Sequence, residues 1–249
     1  MKEKLGEYKR EMEKELHEIL SWWMRMSIDE DHGGFVGKID HDNKAYPEAP
    51  KGSVLNSRIL WAFSAAYNRT HDSGYLKIAE RAFQYIAENF IDKEFGGVYW
   101  TVDFTGKPLD TRKQIYALAF SVYGLSEFYL ASKNENAKRI AVYIYNDILT
   151  HSYDEKFGGY IEACTRDWKQ VEDLRLSAKD ANEKKTMNTH LHIIEAYANF
   201  YILNTVLQIM FLTCLKILVK ENRRSFYVLD IRNMHTPCAL RKSNSCSTM

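Results

Sequence analysis

Along residues 75–90 the apolar side chains Tyr75, Leu76, Ile78, Ala79, Ala82, Phe83, Ile86 and Phe90 recur every three or four positions, with Lys, Glu, Arg and Gln between them. That spacing predicts a helix with one wet face. Residues 3–25 and 136–149 read the same way. A second kind of segment is apolar nearly all round: Val54–Tyr67, Ile115–Tyr129 and Met187–Phe200. Such segments predict helices covered on both sides. Ser53, Asp110 or Thr111, and Thr186 stand where the N-caps of these three would fall. Wet and dry helices alternate along the chain.

The alternation is punctuated by a repeated motif. Asp29-Glu-Asp-His-Gly-Gly-Phe35, Asp92-Lys-Glu-Phe-Gly-Gly-Val98 and Asp154-Glu-Lys-Phe-Gly-Gly-Tyr160 follow one another at intervals of 63 and 62 residues. Each Gly-Gly opens a short strand-like run and a turn, with a lysine eleven residues after the first glycine, at Lys44, Lys107 and Lys169. The motif reads as a hairpin, and without a Gly-Lys-Ser/Thr continuation it is not a phosphate loop. Units of about 62 residues with one wet and one dry helix bury the dry helices only if the repeats curl around a common centre. The predicted architecture is all-α, an α/α toroid with short β-hairpins between helix pairs. An open solenoid of helix pairs is the alternative.

From Ile202 onward the pattern stops. No glycine follows Gly159, and residues 201–249 hold seven basic residues against Glu221 and Asp230. We therefore expect two units, a repeat region over residues 1–201 and an anomalous tail over 202–249, out of frame or chimeric in origin. A membrane span over Ile202–Val219 is disfavoured because Asn204, Gln208 and Lys216 interrupt it.

Composition narrows the partners. Thirty-four basic and thirty-three acidic residues leave a net charge of +1, which offers no footprint for nucleic acid or an anionic membrane. The first twenty residues carry no continuous apolar run, so no signal peptide is read and a cytoplasmic protein is expected. The four cysteines show no metal spacing. Sixteen tyrosines suit a carbohydrate pocket and an ordinary helical core equally well.

Polar residues inside dry helices carry the chemistry. Asn56, Arg58, Asn188, His190 and His192 need either a polar cavity or individual partners. Arg58, Tyr116 and Asn188 lie near the starts of three successive inner helices, so closure of the ring brings them to one mouth. His192 lies one turn after Asn188 on the same face, whereas His190 lies about 200° from each neighbour, which makes an H-x-H metal site geometrically poor. Taken one at a time, an ion-paired Arg58, a satisfied core His192 and a packing Tyr116 account for these residues as well; together they describe a site for a neutral polyol. Trp100, Asp103, Asp167 and Trp168 on the hairpins are candidates for its rim, or for packing plugs.

The segments KGSVLNSRILWAFSAAY (51–67), FGGVYWTVDFTGKPLDTRKQIYALAFSVYGLSEFY (95–129) and KKTMNTHLHIIEAYANFY (184–201) closely resemble the N-acylglucosamine 2-epimerase superfamily, and within it the cellobiose 2-epimerases. The resemblance covers residues 1–201. It implies an (α/α)6 barrel, incomplete in this chain, and a carbohydrate epimerase acting on the reducing-end sugar of cellobiose, lactose and related β-1,4-linked disaccharides through an enediolate. Arg58 and His192 are implied as catalytic and Tyr116, Asn188 and Trp100 as substrate-binding, while His190 resembles a variable position. No cofactor or metal is implied, and a monomer is expected. In such enzymes the proton-transferring histidines and a neighbouring glutamate come from later inner helices, which this sequence does not show, so the chain is expected to be inactive alone. A mannose isomerase, an N-acylglucosamine 2-epimerase, a non-catalytic sugar-binding module and, last, a glycoside hydrolase stand as alternatives.

Overall fold

The computed structural model describes residues 2–203. Three outer helices, α1 (Lys2–Met26), α3 (Ser73–Tyr85) and α5 (Glu135–His151), alternate with three inner ones, α2 (Ser53–Thr70), α4 (Ile115–Ser132) and α6 (Met187–Leu203). The α3 helix runs on through a π-helical turn, Ile86–Phe90. The three inner helices lie side by side with α4 in the middle, α3 backing α2 and α5 backing α4. This is the predicted alternation, and it forms an arc of an α/α toroid. Ile202 and Leu203 continue α6, while the rest of the expected 202–249 unit, with most of the disfavoured membrane span, lies outside the described residues. Among the described residues no helix is long and apolar enough to cross a membrane.

The core lies between the helix layers and takes in Leu60, Phe63, Leu118, Leu125, Phe128 and Phe200, with Phe83 stacked on Phe128 at 4.9 Å. Small residues let the inner helices approach closely. Ser57 Oγ lies 3.1 Å from Ser121 Oγ, and a Cβ added at Gly124 would meet the Ser57 carbonyl oxygen at 2.6 Å. Where α2, α4 and α6 converge at their far ends, the Glu127 carboxylate accepts from Asn68 at 2.6 Å and Asn199 at 2.9 Å, so one side chain ties all three.

Helix ends depart in part from expectation. Thr186 does cap α6, its Oγ1 accepting from the Thr189 N–H at 3.2 Å. Ser53 is already inside α2 and its hydroxyl donates to the Trp100 carbonyl. Asp110 and Thr111 do not cap α4, because strand β4 (Lys113–Gln114) intervenes and Asp110 grips Arg112 through two guanidinium nitrogens instead. The other strands are β1 (Lys51–Gly52), β2 (Thr101–Val102), β3 (Pro108–Asp110) and β5 (Ala163–Cys164). β2 pairs antiparallel with β1, and β5 with β4, so the hairpin of each later repeat grips the strand leading into the previous inner helix.

The repeated motif is a latch. Asp29 Oδ1 accepts from the N–H groups of Asp31 and His32, Asp92 Oδ1 from those of Glu94 and Phe95, and Asp154 Oδ1 from those of Lys156 and Phe157. The second oxygen of each takes the ammonium of a lysine at the entrance to an inner helix: Lys51 to Asp29 at 2.7 Å, Lys113 to Asp92 at 2.8 Å and Lys185 to Asp154 at 2.7 Å. Each ammonium also donates to the carbonyl of the first glycine of its pair. Burial raises the Asp29 and Asp92 pKa values, but the lysine ammonium at Asp29, and the Arg166 guanidinium with the Lys113 ammonium at Asp92, outweigh it and hold both below the ordinary carboxylate range.

Both glycines of every pair have positive φ, and at Gly34, Gly96, Gly97 and Gly159 the space a side chain would need is already filled. A Cβ at Gly34 would lie 2.5 Å from the Tyr85 ring, and one at Gly97 would lie 3.0 Å from the Trp168 ring. The lysines eleven residues after each first glycine share a backbone role: the Lys44, Lys107 and Lys169 carbonyls accept from the N–H groups of Asp40, Asp103 and Thr165 and close each hairpin turn.

Candidate active site

The mouth formed by the inner helices is lined by Arg58 and Trp61 of α2, Phe120 and Tyr123 of α4, and His192 and Glu195 of α6, around a cleft of about 250 Å³. Helical spacing explains the set. Trp61 is one turn after Arg58, Tyr123 one turn after Phe120 and Glu195 one turn after His192, so each helix presents two successive residues of one face.

Phe120 is the hub. The Arg58 guanidinium lies 4.7 Å from its ring centroid, the His192 ring 4.4 Å and the Tyr116 ring 5.0 Å, and Tyr116 meets His192 edge-on at 4.7 Å. Of the three residues expected at one mouth, Arg58 and Tyr116 meet around Phe120, joined there by His192, while Asn188 is not in the cleft lining. Arg58 is exposed and makes no ion pair among the described residues, which removes the reading of a buried structural pair. Asn188, one turn before His192, is exposed. One turn further along α2 and α4, Trp61 stacks on Tyr123 at 5.0 Å, and its buried indole N–H has no hydrogen-bond partner among the described residues. Burial, with the Glu195 and Glu127 carboxylates, raises the Tyr123 pKa. The arrangement offers a fixed cation, an imidazole, unspent hydrogen-bond donors and aromatic faces, which are the means of holding an uncharged polyhydroxyl ligand.

Six polar or aromatic candidates make contacts that hold the fold. The Trp100 carbonyl anchors Ser53, and Trp100 does not line the cleft; its ring packs on the core. Asp103 closes its hairpin by accepting from the Thr105 and Lys107 N–H groups. Asp167 accepts from the Thr165 hydroxyl and pairs with Lys169. Trp168 is a plug, stacked on His151 at 4.3 Å with its indole N–H donating to the Phe95 carbonyl. Asn56 is buried and donates to the Gly52 carbonyl. His190 points away from His192: its Nδ1 meets the Thr186 carbonyl and its Nε2 accepts from the Tyr160 N–H, so the two histidines share no ligand position.

The sequence does not single out Trp61, Phe120 and Tyr123, and Glu195 stands out in it only as one of two inner-helix carboxylates, with Glu127, for the glycoside hydrolase alternative. Their one signal was spacing, three or four residues from a residue already chosen. Apolar types on an apolar helix gave no reason to separate cleft from core.

Inner helices that bring an arginine, a histidine and stacked aromatics to one cleft make this an α/α toroid repeat with a polar and aromatic mouth. The N-acylglucosamine 2-epimerase family is matched over residues 33–222, and the chain belongs to that family. It is 52% identical over 194 residues to a cellobiose 2-epimerase of Bacteroides fragilis, covering 78% of this chain and 50% of that protein. It is 42% identical over 183 residues to a cellobiose 2-epimerase of Ruminococcus albus, covering 74% and 46%. Among solved structures, the cellobiose 2-epimerase of Spirochaeta thermophila superposes with a TM-score of 0.77 at 32% identity, over 86% of this chain and 54% of that one. The chain spans about half the length of the curated relatives it matches.

Proposed function

We propose that the cleft is the substrate-holding part of a cellobiose 2-epimerase site, taking the reducing-end sugar of a β-1,4-linked disaccharide. The observation that carries this reading is the unpaired Arg58 guanidinium set on the Phe120 ring beside His192, within a chain whose relatives at 52% and 42% identity bear that name. Epimerisation beside an aldehyde needs ring opening, removal of the C2 proton and its return to the other face. An oxyanion develops on the enediolate as the proton leaves. Arg58, always charged and fork-shaped, is suited to stabilise it. Tyr116 and Asn188 donate to sugar hydroxyls, and His192 serves ring opening or positioning of the opened sugar. Tyr116, Asn188 and Trp100 all stand outside the cleft lining itself; Tyr116 borders it through Phe120 and His192 and Asn188 is one turn before His192, whereas Trp100 has no such neighbour among the described residues and is the weakest of the three.

The described residues supply no second histidine in the cleft to exchange the C2 proton, so we propose that the 249-residue chain binds cellobiose without turning it over. Calorimetric titration of the purified chain with cellobiose is expected to show saturable binding, weakened at least tenfold by Arg58→Ala. Product analysis after incubation with cellobiose, mannose and N-acetylglucosamine is expected to stay at background. Turnover of cellobiose well above background would overturn the second proposal. Failure of the folded chain to bind cellobiose would overturn the first.

A further inference from the structure

His192 and Glu195 form a pair on one face of α6. They stand three residues apart on α6, with His192 Nδ1 2.8 Å from Glu195 Oε2. The imidazole is held on its other sides by Phe120 and Tyr116. An ionised carboxylate can only accept a hydrogen bond, so the proton of the neutral ring resides on Nδ1 and the lone pair of Nε2 is left bare. We propose that Glu195 is a positioning residue of this site: it fixes the tautomer of His192 so that Nε2 is presented to the cleft as an acceptor for a sugar hydroxyl. The role rests on the sugar reading above; the tautomer itself does not.

The same helix carries an internal comparison. His190 also holds its proton on Nδ1, which faces the Thr186 carbonyl, but its Nε2 is occupied by the Tyr160 N–H. One histidine has both nitrogens committed to the fold, while the other has one committed and one free. Hydrogen bonds that fix an imidazole tautomer from behind, leaving the far nitrogen for chemistry, are a recurrent use of histidine. Glu195 is 49% exposed, so its replacement removes the contact without opening the core.

Long-range proton–nitrogen correlation spectra of the full chain at about pH 8, where an ordinary histidine is neutral, read which nitrogen carries the proton. His192 signals are assigned by comparison with His192→Asn. His192 is expected to show a protonated Nδ1 and a bare Nε2. Glu195→Leu is expected to lose that state and to weaken cellobiose binding about fivefold, the scale of one lost hydrogen bond. Glu195→Gln, whose amide oxygen can still accept, is expected to restore both. The His190 signals stay fixed in all three proteins, which reports an intact fold. A wild-type His192 with its proton on Nε2, or an unchanged tautomer in Glu195→Leu, overturns the proposal. Cellobiose is expected to move the Nε2 signal of His192 and not that of His190. The predicted tautomer with no response to cellobiose overturns the sugar reading, and with it the purpose of the contact.

Discussion

Replacing each latch lysine by methionine, which keeps most of the stem volume and removes the charge, separates three sites that look alike in sequence. Lys51 and Asp29 are 0% and 4% exposed, and among the described residues the Asp29 carboxylate has no second Lys or Arg ion pair, Arg81 reaching its backbone carbonyl instead, so Lys51→Met leaves a buried carboxylate with backbone N–H donors alone. Breaking a buried pair in that way costs about 3–5 kcal/mol. Lys113→Met acts at an equally buried site, but Asp92 keeps the Arg166 guanidinium at 2.9 and 3.1 Å, so about 1–3 kcal/mol is expected. Lys185 and Asp154 are 26% and 19% exposed, water screens the loss, and about 1 kcal/mol or less follows. Urea unfolding at pH 7 followed by helical circular dichroism should therefore rank the variants 51, 113, 185 in decreasing loss. With a slope of roughly 2 kcal/mol per molar urea, the first shifts the midpoint by about 2 M. With its ammonium gone, burial pushes Asp29 up, so acid neutralises it and the gap between Lys51→Met and the parent should narrow as pH falls. Asp29→Asn combined with Lys51→Met should recover part of the loss. Equal losses at the three sites, or the largest at Lys185, would refute the reasoning.

Gly124→Ala places a methyl 2.6 Å from the Ser57 carbonyl oxygen and should cost about 1–3 kcal/mol in a thermal melt; an unchanged midpoint would mean α2 and α4 are not so close. Glu127→Leu leaves the Asn68 and Asn199 amides without their shared acceptor and should lower stability by about 1.5–3 kcal/mol, read in the same urea assay. In the parent chain Asp29, Asp92 and Asp154 all lie below the ordinary carboxylate range. Their contribution is complete above the unfolded value and is lost as pH falls through the folded ones. The urea midpoint should thus decline from about pH 4 downward, and a midpoint flat to pH 2 would contradict the latch as the source of this stability.

The order of outer and inner helices, their bounds to within a few residues, and the hairpins between them were legible in the sequence, because side-chain periodicity reports how a helix is covered and paired glycines report positive φ. The side-by-side packing of α2, α4 and α6 then followed from their dryness, and it brought Arg58 and Tyr116 together with His192 around Phe120, while Asn188 stands outside the cleft lining. Tertiary structure alone decided which partner each polar group found. The latch lysines lie 22, 21 and 31 residues from their aspartates, a separation with no period to betray it. Trp100 and Trp168 resembled cleft residues, yet the Trp168 indole is hydrogen-bonded and stacked within the scaffold and Trp100 packs against the core, while Trp61, indistinguishable by type, lines the cleft. Hydrophobic pattern is a one-dimensional record of burial, whereas a site is a set of directions in space, fixed only when neighbouring helices occupy every other one.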